Sequence, residues 1–125
     1  MADSVQRLYE AVLSARNADP ASSRTARLMR SGRAKMAKKL AEEAIEVIID
    51  AVNGERGAVV RESADLLYNL VVVWVASGIR PEDVWKEMAR RERLMGIAEK
   101  LPKTAVGHES RRKVVALETR RMRKR

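Results

Sequence analysis

The chain has 125 residues, 26 Lys+Arg against 17 Asp+Glu, a net charge of +9 and no cysteine. This length suits one domain, and the missing cysteines exclude a disulfide-stapled scaffold, a thiolate zinc site and a cysteine nucleophile. A single histidine, His108, excludes histidine-rich metal chemistry, and two Trp, two Tyr and no Phe argue against an aromatic platform for stacking bases.

The charge is unevenly placed. Residues 1–100 carry 17 basic and 15 acidic side chains, a balance of +2, whereas residues 101–125 carry nine against two, a balance of +7. We therefore expect a nearly neutral domain over 1–100 and a basic C-terminal extension over 101–125. No basic region followed by an apolar stretch opens the chain. The longest apolar run, Leu66–Ala76, covers eleven residues, short of the ~20 that a membrane span needs. A cytoplasmic protein without a membrane partner is expected.

The pattern is helical throughout, with no strand signal and no internal repeat. Ser4 is the expected N-cap of a first helix whose stripe is Val5, Leu8, Tyr9, Val12 and Leu13. It ends before Asp19-Pro20, because the residue before proline is pushed out of the α region. Ser22 or Ser23 caps a short arginine-rich helix, and Gly32 closes it. A strong helix follows from Arg33 to Asn53, with Met36, Leu40, Ala44, Val47, Ile48 and Ala51 as its apolar face and Asn53-Gly54 as its stop. The next runs from Glu55 to Ser77, closed by Gly78. Its half from Leu66 to Ala76 is apolar on nearly every side, so a subunit interface is expected there. Pro81 opens a further helix, with Glu82 and Asp83 in its first turn, that runs to about Lys100. Residues 104–107 read as a linker, and 109–124 as a possible basic helix. The fold class is all-α: an antiparallel bundle of four to five helices, completed by homodimerisation.

Two acidic clusters lie on the central helices, Glu42-Glu43-x-x-Glu46 and Glu62-x-x-Asp65. Residues three apart share a helix face. Gly54 lies eight residues from Glu46 and from Glu62, and eleven from Glu43 and from Asp65. A hairpin about Gly54 therefore sets Glu46 opposite Glu62 and Glu43 opposite Asp65. Four converging carboxylates repel one another unless a cation neutralises them. Hard oxygen donors suit Mg²⁺, with Mn²⁺ as the alternative, rather than zinc. The plainer reading is two solvated acidic faces with partners such as Lys39–Glu43 and Lys38–Glu42. Against it, the carboxylates sit among Ile45, Val47, Ile48, Ala64 and Leu66, where a charge needs a reason.

Lys35 and Lys39 step onto the Glu43 face. A cationic patch beside a metal site suits a polyphosphate, because lysine or arginine takes the charge that the metal leaves. Arg24, Arg27, Arg30 and Arg33 are further candidates, each also readable as plain surface charge.

At these residues the chain resembles a known family. Ser22-Ser23-Arg24-Thr25-Ala26, the run Lys38-Lys39-Leu40-Ala41-Glu42-Glu43-Ala44-x-Glu46-Val47, and Glu62-Ser63-Ala64-Asp65-Leu66-Leu67-Tyr68 are similar to phosphoribosyl-ATP pyrophosphohydrolase, of the all-α nucleoside triphosphate pyrophosphohydrolase (MazG-type) superfamily. The similarity continues through Gly78-Ile79-x-Pro81-Glu82-Asp83-Val84 and Ala89-Arg90-Arg91, and covers roughly residues 5–95. Arg24, Ala34, Ala41 and Asn69 depart from the family's usual aromatic, acidic residue, glycine and histidine.

The resemblance implies Mg²⁺-dependent cleavage between the α and β phosphates of phosphoribosyl-ATP, in histidine biosynthesis, by a homodimer or higher assembly. Its products are phosphoribosyl-AMP and pyrophosphate. On this sequence it implies Glu43, Glu46, Glu62 and Asp65 as metal ligands, and Glu42 as an outer ligand or a base. Glu42 or Glu43 would act on the attacking water. Lys35 and Lys39 would be phosphate contacts, with Arg24 as a candidate beside them. Two alternatives stay open: a pyrophosphohydrolase of other or non-standard nucleotides, and a non-enzymatic helical adaptor whose basic tail binds nucleic acid.

Overall fold

In a computed structural model, residues 2–98 are described; the expected tail helix over 109–124, the linker before it and the end of the last helix lie outside them. Five helices follow one another, α1 (Ala2–Ala15), α2 (Arg24–Arg30), α3 (Arg33–Val52), α4 (Arg56–Ala76) and α5 (Pro81–Ala98), and the described residues contain no strand. The all-α expectation is met.

The chain divides into two units, Met1–Val84 and Trp85–Arg125. In the first, α3 and α4 form an antiparallel hairpin, α1 packs on α4, and the short α2 touches α1, α3 and α4. The hairpin turns at Gly54, whose φ of 70° costs a side-chain-bearing residue energy and glycine almost none. The N–H of Gly54 donates to the Ala51 carbonyl at 3.2 Å and that of Glu55 to the Asp50 carbonyl at 2.9 Å. This is the Schellman pattern, which satisfies the last carbonyls of α3. The same pattern at Gly78 ends α4, with Ile79 N–H on the Trp74 carbonyl at 2.9 Å.

The helix limits fall where Pro, Gly and Ser predict. Ser23 caps α2, its Oγ accepting from the Ala26 N–H at 3.1 Å. Pro81 opens α5, and Asp83 Oδ2 accepts from the Arg80 N–H at 2.9 Å. The expected cap at Ser4 is a correction. α1 starts two residues earlier, and Ser4 lies inside it, its Oγ accepting from Arg7 Nη2 at 3.1 Å. A small hydroxyl early in a helix serves a neighbouring side chain as readily as the backbone.

The core is centred on α4. Val71, Val72, Trp74 and Val75 are buried there, with Val12 from α1, Ala26 from α2 and Met36 from α3. Each buried valine removes apolar surface from water for about 1.5 kcal/mol or more, which holds a valine-rich helix together despite its weak propensity. Within Leu66–Ala76, where a subunit interface is expected, this chain's own helices cover Asn69 and the four core residues after it, while Leu67 stays 46% exposed. An open apolar stripe lies on α3. Ile45, Ile48, Ile49 and Val52 are exposed, Val52 to 81%, at the i, i+3, i+4, i+7 spacing of one helix face.

The second unit is described from Trp85 to the end of α5. There Arg90 grips Glu87 with Nη2 on Oε1 at 2.7 Å and Nε on Oε2 at 2.9 Å. Arg90, with help from Arg91, draws the Glu87 pKa down to about 2. Among the described residues, no helix is long and apolar enough to cross a membrane.

Candidate active site

The hairpin geometry carries the acidic residues toward each other. Glu43 on α3 and Glu62 and Asp65 on α4 bring carboxylate oxygens within 4.8 Å of one another, and no other such group of three occurs among the described residues. Glu43 is 8% exposed. Its Oε1 lies 3.7 Å from Lys39 Nζ, while its buried Oε2 receives no hydrogen bond from the described residues. Glu46 meets Glu62. The neighbouring Glu46 carboxylate, then burial, then the Glu43 carboxylate push the Glu62 pKa from 4.5 up to about 7.

These residues fit a hard divalent cation. Three oxygen donors stand together, one buried oxygen finds no donor among the described residues, and the crowding of carboxylates holds the Glu62 pKa up. A cation would relieve all three costs at once.

Beside the acidic group lies a pocket of about 390 Å³. α2 lines it with Arg24, Arg27 and Leu28; Ser31 follows; α3 adds Lys35, Lys38, Lys39 and Glu42; α4 adds Tyr68 and Asn69. Five cations in one concavity suit a polyanionic ligand. Lys39 joins the two regions, its Nζ lying 4.0 Å from Glu42 Oε2 and 3.7 Å from Glu43 Oε1.

Arg24, Lys35, Lys39 and Glu42 thus meet in the pocket, and Glu43, Glu62 and Asp65 meet in the acidic group with Glu46 beside Glu62. Glu42 is half-exposed and belongs to the pocket rather than to the carboxylate cluster. Lys38 also faces the pocket, and the partner found for Glu42 is Lys39. Arg30 and Arg33 line a different hollow, with Arg16. Tyr68 and Asn69 escaped the sequence reading as pocket residues. Tyr68 OH and Thr25 Oγ1 are 2.6 Å apart. Asn69 is 3% exposed and donates from Nδ2 to the Asp65 carbonyl at 2.8 Å, leaving Oδ1 without a partner. Two signals stood in the sequence: both follow Asp65 within a helical turn, and Tyr68 ends the family-like run that begins at Glu62.

Facing acidic helices in an all-α hairpin, with a cationic pocket alongside, define a protein of the MazG-type superfamily. The family described as PRA-PH, phosphoribosyl-ATP pyrophosphohydrolase, matches residues 5–92. The chain is 67% identical to "Phosphoribosyl-ATP pyrophosphatase 2" of Rhodopseudomonas palustris, over 99% of this chain and 98% of that protein. It is 65% identical to the protein of the same name from Bradyrhizobium diazoefficiens, over 100% and 99%. It is 54% identical to "Phosphoribosyl-ATP pyrophosphatase" of Gluconobacter oxydans, over 82% and 79%. The chain belongs to the phosphoribosyl-ATP pyrophosphohydrolase family. The reading as a non-enzymatic adaptor falls with that.

Proposed function

We propose that this protein hydrolyses the α–β phosphate bond of phosphoribosyl-ATP, releasing phosphoribosyl-AMP and pyrophosphate, with Mg²⁺ as its metal. The observation that carries the reading is the acidic group Glu43–Glu62–Asp65 standing beside a pocket lined by five cations. The names of the relatives supply the substrate.

Glu43, Glu62 and Asp65, with Glu46, would hold the cation. Bound there, it supplies Lewis acidity to the phosphate oxygens and a more acidic water. The chain's own residues do the rest. Lys35, Lys38 and Lys39 from α3 and Arg24 and Arg27 from α2 neutralise the bound phosphates, and the lysines offset charge that develops on the leaving pyrophosphate. Glu42, outside the acidic group and at the pocket's edge, accepts the proton of the attacking water. Lys39, between Glu42 and Glu43, fixes the two carboxylates relative to the phosphates. No covalent intermediate is needed, since the described residues include no histidine or cysteine.

The protein works as a homodimer in this reading. The exposed stripe Ile45, Ile48, Ile49 and Val52 supports it, because so continuous an apolar face on one helix marks an interaction surface.

The test is pyrophosphate release from phosphoribosyl-ATP, set against a panel of nucleoside triphosphates. A clear preference for phosphoribosyl-ATP is expected, and an equal or greater rate on the panel would assign the protein to other nucleotides. Asp65→Asn should lower kcat by about 10²-fold or more while the chain stays folded. Full Mg²⁺-dependent activity in Asp65→Asn or Glu46→Ala would overturn the site.

A further inference from the structure

The pocket draws its cations from two helices that are held very differently. α3 is locked against α4 along the hairpin. α2 has seven residues and a single buried side chain, Ala26, and a helix so short has no stability of its own. Two of its bonds are local. Ser23 caps its first turn, and Arg27 Nη1 donates back to the Pro20 carbonyl at 2.9 Å. They shape α2 without fixing where it sits. Beyond the packing of Ala26, a side-chain hydrogen bond among the described residues ties α2 to α4: the Thr25–Tyr68 hydroxyl pair, at 2.6 Å and partly buried. That distance is at the short end for two hydroxyls, and exclusion of water strengthens such a bond. Thr25 lies between Arg24 and Arg27 in sequence, and Tyr68 lines the pocket along with both arginines.

We propose that Thr25 and Tyr68 form a positioning latch, which holds α2 so that Arg24 and Arg27 present their charge to the phosphates of the nucleotide. This rests on reading the pocket as the phosphate seat of a nucleotide enzyme. The latch acts on affinity. The acidic group is built from α3 and α4 alone, so releasing α2 leaves the catalytic carboxylates where they are. The pair therefore moves KM and spares kcat. Arg24 works at full strength only while the latch is closed.

The experiment measures binding of α,β-methylene-ATP, which the proposed cleavage cannot break, to the full chain by calorimetry. Tyr68→Phe and Thr25→Val each remove one hydroxyl and keep the shape. Each should weaken binding by about two- to tenfold, the range for losing one neutral hydrogen bond. Thr25→Ser keeps the hydroxyl and should bind as the wild type does. Arg24→Gln should cost clearly less in the Tyr68→Phe background than in the wild type, since the arginine is already misplaced there. That coupling is the readout that a merely structural tyrosine would not produce.

Additive losses for Arg24→Gln and Tyr68→Phe, or unchanged binding in Tyr68→Phe, would overturn the latch. So would a wild type that binds no nucleotide. Should Tyr68→Phe fail to fold, Thr25→Val carries the same cycle from the other side of the pair. Pyrophosphate release is scored separately. Coupled binding losses in a protein that does not cleave phosphoribosyl-ATP would sink the function and leave the latch standing. Additive losses in a protein that does cleave it would do the reverse.

Discussion

Glu62 faces Glu46 across the α3–α4 hairpin, and Glu46, burial and Glu43 together push its pKa from 4.5 up to about 7. The sign of the consequence is the reverse of that for a salt-bridged carboxylate. Between pH 4.5 and about 7 the unfolded chain has released the Glu62 proton while the folded chain holds it. The folded state binds more protons, so stability falls as pH rises through the window. A cation on the same carboxylates needs the proton gone. The metal-free protein should therefore lose melting temperature from pH 4.5 to about 7, and Glu62→Gln should flatten that slope. Mg²⁺ should restore the loss above pH 7. Calorimetry near pH 6, in buffers of different ionisation heat, should record roughly one proton released on Mg²⁺ binding. Metal uptake without proton release would show that Glu62 is not part of the site.

Asn69 has a buried carbonyl oxygen that none of the described residues satisfies. An orphaned acceptor costs about 1–3 kcal/mol, and the bond from Nδ2 to the Asp65 carbonyl returns only about 0.5–1.5 kcal/mol. Asparagine is thus a poor choice for stability at this position. Asn69→Leu should melt within a few degrees of the wild type or above it, and should bind nucleotide more weakly. A large drop in melting temperature with unchanged nucleotide affinity would mean that Asn69 is there for the fold.

How much of this could be read from the residues follows from what is local. The turns at Gly54 and Gly78, the cap at Ser23 and the start at Pro81 are set by single residues with strong backbone preferences, and they fall where expected. The meeting of Glu43 with Glu62 and Asp65 was also legible. Two straight helices joined at a known turn have one register, so equal spacing from Gly54 becomes spatial contact. The pocket was legible only in part. Lys35 and Lys39 share a helix with the acidic cluster, but which of Arg24, Arg27, Arg30 and Arg33 reach the pocket, and that Tyr68 and Asn69 do, follows from the packing of α2 on α4, which no periodicity encodes. Burial was legible only in part for a similar reason. The run Leu66–Ala76 is apolar on all sides, and the sequence does not say that α1 and α3 of the same chain are enough to cover its core residues.

The exposed stripe on α3 gives a test of assembly. Ile48 sits in its middle and is 60% exposed, so a charge there leaves a lone chain nearly unaffected, within about 0.5 kcal/mol. Buried against a second apolar face, the same charge is costly. Light scattering should give the wild type a mass of at least two chains. Ile48→Glu should give a single chain with its helix content intact. A wild type that stays a single chain at micromolar concentration would leave the stripe without the role proposed for it.

The charge of +7 on residues 101–125 remains to be accounted for. The family match stops at residue 92, yet the Rhodopseudomonas palustris relative aligns with 99% of this chain, so the extension is shared with it. Every residue assigned a part in the chemistry lies between Arg24 and Asn69. Deleting residues 101–125 should therefore leave kcat on phosphoribosyl-ATP within about twofold, the scatter of context-dependent surface effects. A basic extension does attract a polyanionic substrate over a distance, and salt screens that attraction. The deletion should raise KM in dilute buffer, and the difference should shrink toward nothing at about 0.15 M salt. If the tail also binds nucleic acid, that binding will weaken steeply with salt and vanish in the deleted chain. A large fall in kcat at every salt concentration would mean that the tail reaches the site. The acidic residues would then not account for the chemistry by themselves.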